Sequence, residues 1–241
     1  MTAALLFVAA ILAGAIAALA GFGIGSVLTP LLALSVGTKE AVVAVSIPHF
    51  VATSIRFWTL RRNIEAQVLK NFGIASACGG LLGALLGSRF SSPILAYILG
   101  SLLIFAGLTG LTGISKKMQF GRKAAWLGGA VSGILGGLVG NQGGIRSAAL
   151  LGFNLEARTF VATATAIALV VDGARMPVYF FTSPETVHQL GLWIAIMVAG
   201  GAIGTLAGGK VLARIPETYF RRLVSLLILA LGIVMLSGLA K

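Results

Sequence analysis

Charge is scarce in this sequence, and acidic charge is scarcest: Asp and Glu together number 6 in 241 residues, against 18 Lys and Arg. With 10% charged and 58% hydrophobic residues and a mean hydropathy of +1.02, the chain falls outside the range of soluble globular domains. The net charge of +12 does not make it a nucleic-acid binder, and no nucleic acid is expected as a partner. Its basic residues lie in short connections between apolar runs and form no single polar face. One cysteine, Cys78, excludes an internal disulfide; in its apolar run it is expected to be a small buried hydrophobe. Two histidines, His49 and His188, with scattered acids give no metal or acid/base cluster, so neither a metal, a cofactor nor an enzyme is expected. No G-x-x-x-x-G-K-[ST] sequence occurs, which excludes ATP hydrolysis by that route. The start of the chain lacks the basic region of a cleavable signal peptide and is expected to remain as structure.

What is present is apolar length. Six runs are long enough to cross a bilayer, at about 41–60, 68–88, 94–113, 158–181, 189–209 and 219–240. Two further stretches, about 3–36 and 124–153, carry glycine-rich breaks near their middles, "GFGIG" at 21–25 and "NQGGIR" at 141–146. Each interior glycine costs a helix roughly 1 kcal/mol relative to alanine. Split there, each stretch is expected to give pieces of about 15 residues or fewer, short of the ~30 Å hydrocarbon core. Each is read as a broken, re-entrant hairpin that returns to its starting side. The fold class is therefore all-α integral membrane, in the bilayer, with residues 1–120 and 121–241 each forming one hairpin and three crossings.

The charges test that layout. With the termini on one face, that face receives Lys39, Arg89 and Lys241. The other receives Arg61, Arg62, Lys70, Lys116, Lys117, Arg122, Lys123, Arg158, Lys210, Arg214, Arg221 and Arg222. The bias predicts a cytoplasmic second face and both termini outside. The halves also echo each other: "GGLLGALLGS" (79–88) and "GGAIGTLAGG" (200–209) share five of ten positions at an offset of 121, where "GFGIGS" also meets "QGGIRS". An odd number of crossings per half would place the second copy upside down, the inverted repeat of secondary transporters. Unwound backbone is tolerated in lipid only where it is buried or lines a polar cavity, so the breaks point to a central binding site. Helices restarting from Ser26 and Ser147 would aim their amides at an anion there.

The stretches "AGFGIGSVLTPLLALSVGTKEAVVAVS" and "VGNQGGIRSAALLGFNLEARTFVATAT", with "GALLGSRF" and "GTLAGGKVLARIPETYFRRL", resemble the sulfite exporter TauE/SafE family of bacterial membrane transporters. The resemblance covers nearly the whole chain. It implies a multi-pass protein of the bacterial inner membrane that carries sulfite, organosulfonates or related sulfur-containing anions, and it names neither the anion nor the direction.

Candidate substrate-binding residues are Arg146, Gln142, Asn141, Ser147, Gly23, Gly25, Ser26, Arg56, Arg175 and His49. Arg146, inside the second break, offers a planar fork suited to sulfonate-like oxygens; otherwise it would reach lipid headgroups. Arg56 and Arg175 stand at corresponding places in the halves. Either lines the anion path, or Arg56 snorkels to the cytoplasmic side and Arg175 pairs with Asp172. His49 follows Pro48, where a kink is expected, and either moves a proton, donates to the anion or bonds a carbonyl freed by the proline. Asp172 and His49 are the coupling candidates; as Arg175's partner, Asp172 would be structural instead. Thr29 would satisfy unwound backbone, Phe22 and Phe153 would pack or gate, and the small-residue runs at 79–87 and 200–208 would allow close helix contact.

These features predict a secondary transporter for small inorganic or organosulfonate anions working by alternating access. With a negative interior, expelling one negative charge gains about 2.3 kcal/mol per 100 mV, which favours export. An anion channel of the same architecture and proton-coupled uptake of organosulfonates are the alternatives, and assembly as a homodimer is left open.

Overall fold

The computed structural model describes residues 2–113, 122–141, 143–151, 153, 155–212 and 216–238. All their regular structure is helical: α1 (Ala3–Ala20), α2 (Ile24–Val36), α3 (Thr38–Leu60), α4 (Ala66–Arg89), α5 (Ser92–Thr112), α6 (Arg122–Val139), α7 (Gly143–Leu151), α8 (Ala157–Thr182), α9 (Pro184–Gln189), α10 (Gly191–Leu212) and α11 (Glu217–Leu236). Among the described residues seven helices are long and apolar enough to cross a membrane. Six correspond to the runs expected from hydropathy. The seventh is α1, whose 18 residues span about 27 Å and exceed the expected arm length. The hairpin arms are unequal: α2 has 13 residues, α6 has 18 and α7 only 9. At about 14 Å, α7 falls well short of a crossing. Pro48 sits inside α3, which remains one helix from Thr38 to Leu60.

The packing repeats when the halves are exchanged. α1 lies along α10 as α6 lies along α4; α3 meets α10 as α8 meets α4; α5 pairs with α11 and α3 with α8. Small residues make these approaches possible. A Cβ on Gly83 would collide with the backbone of Ile134, and one on Gly204 with the carbonyl of Ile11. Helix pairs packed backbone to backbone gain contacts that lipid chains do not offer. The core includes Leu28, Leu32, Leu99, Leu103 and Met197, all fully buried, while Leu12, Leu82, Leu127 and Leu206 face outward as a lipid-compatible exterior. Cys78 belongs to that exterior. The expectation of a buried thiol is corrected, because α4 turns its neighbours Gly79 and Gly80 toward α6 and α8 and leaves Cys78 outside.

Candidate functional site

Both breaks begin with the same cap. α1 ends on Gly21 at φ 75, whose amide donates to Ala17 O at 3.0 Å. α6 is followed by Gly140 at φ 70, whose amide donates to Gly136 O at 3.0 Å. An L side chain in this left-handed region costs about 1–2 kcal/mol, so glycine ends each arm. The helices restart at Ile24 and Gly143, earlier than the expected Ser26 and Ser147. Ser26 therefore occupies the first turn of α2. Ser147 is the fifth residue of α7 and half-buried, which moves it off the helix terminus.

The two breaks touch. Gly25 abuts the carbonyl of Gly140, and Phe22 packs against Gly143 so closely that neither glycine leaves room for a Cβ. Ser26 Oγ donates to Asn141 Oδ1 at 3.1 Å in a buried contact, and Arg146 Nη2 reaches Gly21 O at 3.5 Å. The fold thus brings together Gly25, Ser26, Asn141 and Arg146 from the sequence-derived set. Gly23, at φ 142, contributes the turn into α2 and lies against Ile16. Gln142 lies outside the described residues. Phe22 and Phe153 both pack, Phe153 in a separate cluster with Phe72 and Leu150.

Two helices brace the breaks from behind. From α3, Arg56 donates through Nη1 to Ala17 O and through Nη2 to Thr53 Oγ1 at 3.3 Å. From α8, Arg175 donates through Nη1 to Gly136 O at 2.6 Å and through Nε to Asp172 Oδ1 at 2.9 Å. Each arginine thus caps the carbonyl end of the first arm in its own half, where the helix dipole favours a cation. The register is constant: Ala17 and Gly136, Gly21 and Gly140, Thr53 and Asp172, Arg56 and Arg175 are all separated by 119 positions. The offset of 121 holds for the small-residue runs, whereas the caps align at 119.

Asp172 also meets His49 Nδ1 at 2.7 Å, so His49, Asp172 and Arg175 form one buried chain across α3 and α8. The helix-borne pair of Arg175 with Asp172 is the structural alternative foreseen for Asp172, and His49 faces that carboxylate. Tyr179, one turn beyond Arg175, donates to Gly137 O. Thr53 and Tyr179 escaped the sequence reading, although "TSIR" and "DGAR", with Thr53 and Asp172 each three before an arginine, carried the signal for Thr53.

The cations are unequally satisfied. Arg146 is 1% exposed, and among the described residues its Nε and Nη1 meet no acceptor. Arg56 Nε and Thr29 Oγ1 are also buried without a partner among the described residues. Buried donors in native proteins are nearly always paired, and an uncompensated buried charge is costly. Among the described residues no three His, Cys, Asp or Glu side chains converge as metal ligands would.

Compared with known protein families, residues 6–235 match the family described as sulfite exporter TauE/SafE. No curated protein matches the chain, and no solved structure does. With apolar helices of spanning length and a family match over nearly its whole length, this is a multi-pass membrane transporter of the sulfite-exporter type rather than an enzyme, and the chain belongs to the sulfite exporter TauE/SafE family.

Proposed function

We propose that this protein exports a small sulfur oxyanion or sulfonate by alternating access, with the anion held where the two glycine breaks meet. The carrying observation is Arg146: a guanidinium 1% exposed, with two donors facing no acceptor among the described residues, at the contact of both breaks. Asn141, Ser26 and the amides of the restarted helices would complete the oxygen cage. Ser147 stands apart from that cage and would act from the flank. In this reading residues 1–120 and 121–241 are inverted repeats, a plan supported by the exchange of packing partners between the halves. Both termini lie outside the cytoplasm of a bacterial inner membrane. Arg61 stacked on the exposed Trp58 at 3.9 Å would anchor one end of α3 at the cytoplasmic interface.

Export needs no coupling ion, because the membrane potential itself drives an anion outward. Asp172, held by Arg175 and His49, serves structure in this reading rather than proton coupling. The test is thermal unfolding in detergent with sulfite, thiosulfate and sulfonates, on the native protein and Arg146→Ala. Stabilisation by at least one anion is expected, lost in Arg146→Ala while the unliganded variant stays folded. Unchanged stabilisation in Arg146→Ala overturns the site. In proteoliposomes, saturable flux driven by an imposed potential is expected, and single-channel currents would overturn alternating access.

A further inference from the structure

Three arginines surround the breaks. Arg56 comes from α3, Arg146 from α7 and Arg175 from α8, all at most 4% exposed. Facing them are the carboxylate of Asp172, fully buried, and two further titratable groups, His49, whose Nδ1 lies 2.7 Å from that carboxylate, and Tyr179. Arginine remains protonated in proteins. Neither α1 nor α2 carries a charged residue. Asp172 is committed to Arg175 through Nε at 2.9 Å and Nη2 at 2.8 Å. Arg56 and Arg146 therefore remain as two positive charges without a carboxylate among the described residues, and both retain unpartnered donors. His49 would add a third only when protonated.

The excess arises from one difference between the halves. Where the second half has Asp172 three residues before its capping arginine, the first half has Thr53, fully buried and neutral. An aspartate at both positions would leave one uncompensated cation; a threonine at one leaves two.

We propose that the site selects by charge and takes a sulfur oxyanion as the dianion, in preference to a monoanion with the same oxygen head. This rests on the reading that the anion sits between the breaks. A monoanion there leaves one guanidinium uncompensated in a water-poor interior, whereas a dianion with three acceptor oxygens matches both cations. Thr53 is then a specificity-determining residue, acting through Arg56.

The test compares two probes on the purified full chain by calorimetry. Sulfite passes from monoanion to dianion near neutral pH, while methanesulfonate presents the same head and remains a monoanion. Sulfite affinity is expected to rise by at least about ten-fold as pH climbs through its second ionisation, as one added charge contact requires. Methanesulfonate, measured at the same pH values, reports titration of His49 itself and is subtracted. Thiosulfate, a dianion throughout, is expected to bind without that rise. Thr53→Asp is expected to narrow the gap, weakening sulfite more than methanesulfonate because the added carboxylate repels a dianion more strongly, while Thr53→Asn is expected to preserve it. Equal affinity for methanesulfonate and fully ionised sulfite, or a sulfite affinity parallel to methanesulfonate across pH, overturns charge selection and leaves the anion site standing. Failure of every oxyanion to bind overturns both. If Thr53→Asp does not fold, the native protein's two probes decide the matter alone.

Discussion

Arg175 donates to the carbonyl oxygen of Gly136 at 2.6 Å, and that same oxygen accepts the amide of Gly140 four residues on. The arginine is thereby fastened to the last turn of α6, four residues before the left-handed glycine that opens the break. Arg56 repeats the arrangement on Ala17 and Gly21 in the first half. Two long helices, α3 and α8, thus set where the breaks begin, and any tilt of either helix would pull on a break. That linkage is a physical route by which helix rocking would reach the proposed anion site.

Contact between the breaks is expected to matter more than the strain within either. Gly25→Ala drives a Cβ into the carbonyl of Gly140, so it should separate the hairpins and abolish sulfite-induced stabilisation. Gly21→Ala meets only Val161 at 3.8 Å, and its cost is backbone strain of about 1–2 kcal/mol. It should lower the unfolding temperature yet retain the sulfite response. Thermal unfolding with and without sulfite reads both variants.

Removing the carboxylate at the centre of the buried chain should destabilise strongly. Asp172→Asn leaves Arg175 without its counter-charge and is expected to cost about 3–5 kcal/mol. Adding Arg175→Met removes the orphaned charge, so the double variant should be less destabilised than the two single effects summed. Additivity in detergent unfolding would show that the pair is not coupled.

On α4, two nearby positions should respond in opposite ways. Gly83→Leu forces a side chain into the backbone of Ile134 and should cost about 3 kcal/mol or more, or prevent folding. Cys78→Leu, on the exterior, should change stability by no more than about 0.5 kcal/mol. Yield and unfolding temperature after purification distinguish the two.

Sidedness can be read by labelling. In a Cys78→Ser background, Glu185→Cys on α9 should react with a membrane-impermeant thiol reagent on intact cells, and Arg62→Cys should react only after lysis. Both positions are exposed. The reverse pattern would place the termini in the cytoplasm and overturn the charge-bias argument.

The six long helices were readable because apolar length in a bilayer is dictated by its thickness. The small-residue runs at 79–87 and 200–208 were readable too, since only small side chains let helix backbones touch there. Arm lengths were less legible: glycine content marks a weak helix, but not that α2 and α7 restart at Ile24 and Gly143. The exposure of Cys78 was likewise invisible, because periodicity in a uniformly apolar helix does not distinguish lipid from neighbouring helix.

By itself, the sequence determined that this chain lives in lipid, that its halves echo one another, and that two glycine-rich interruptions would not continue as ordinary helix. Those properties follow from composition and local backbone cost. Only the tertiary structure decided that the interruptions meet, and that, among the described residues, Arg56 and Arg175 brace them, Asp172 pairs with Arg175 alone of the two, and Arg146 keeps unpartnered donors. Charge compensation in a buried site is a property of distances between remote segments, and a linear order of residues does not contain those distances.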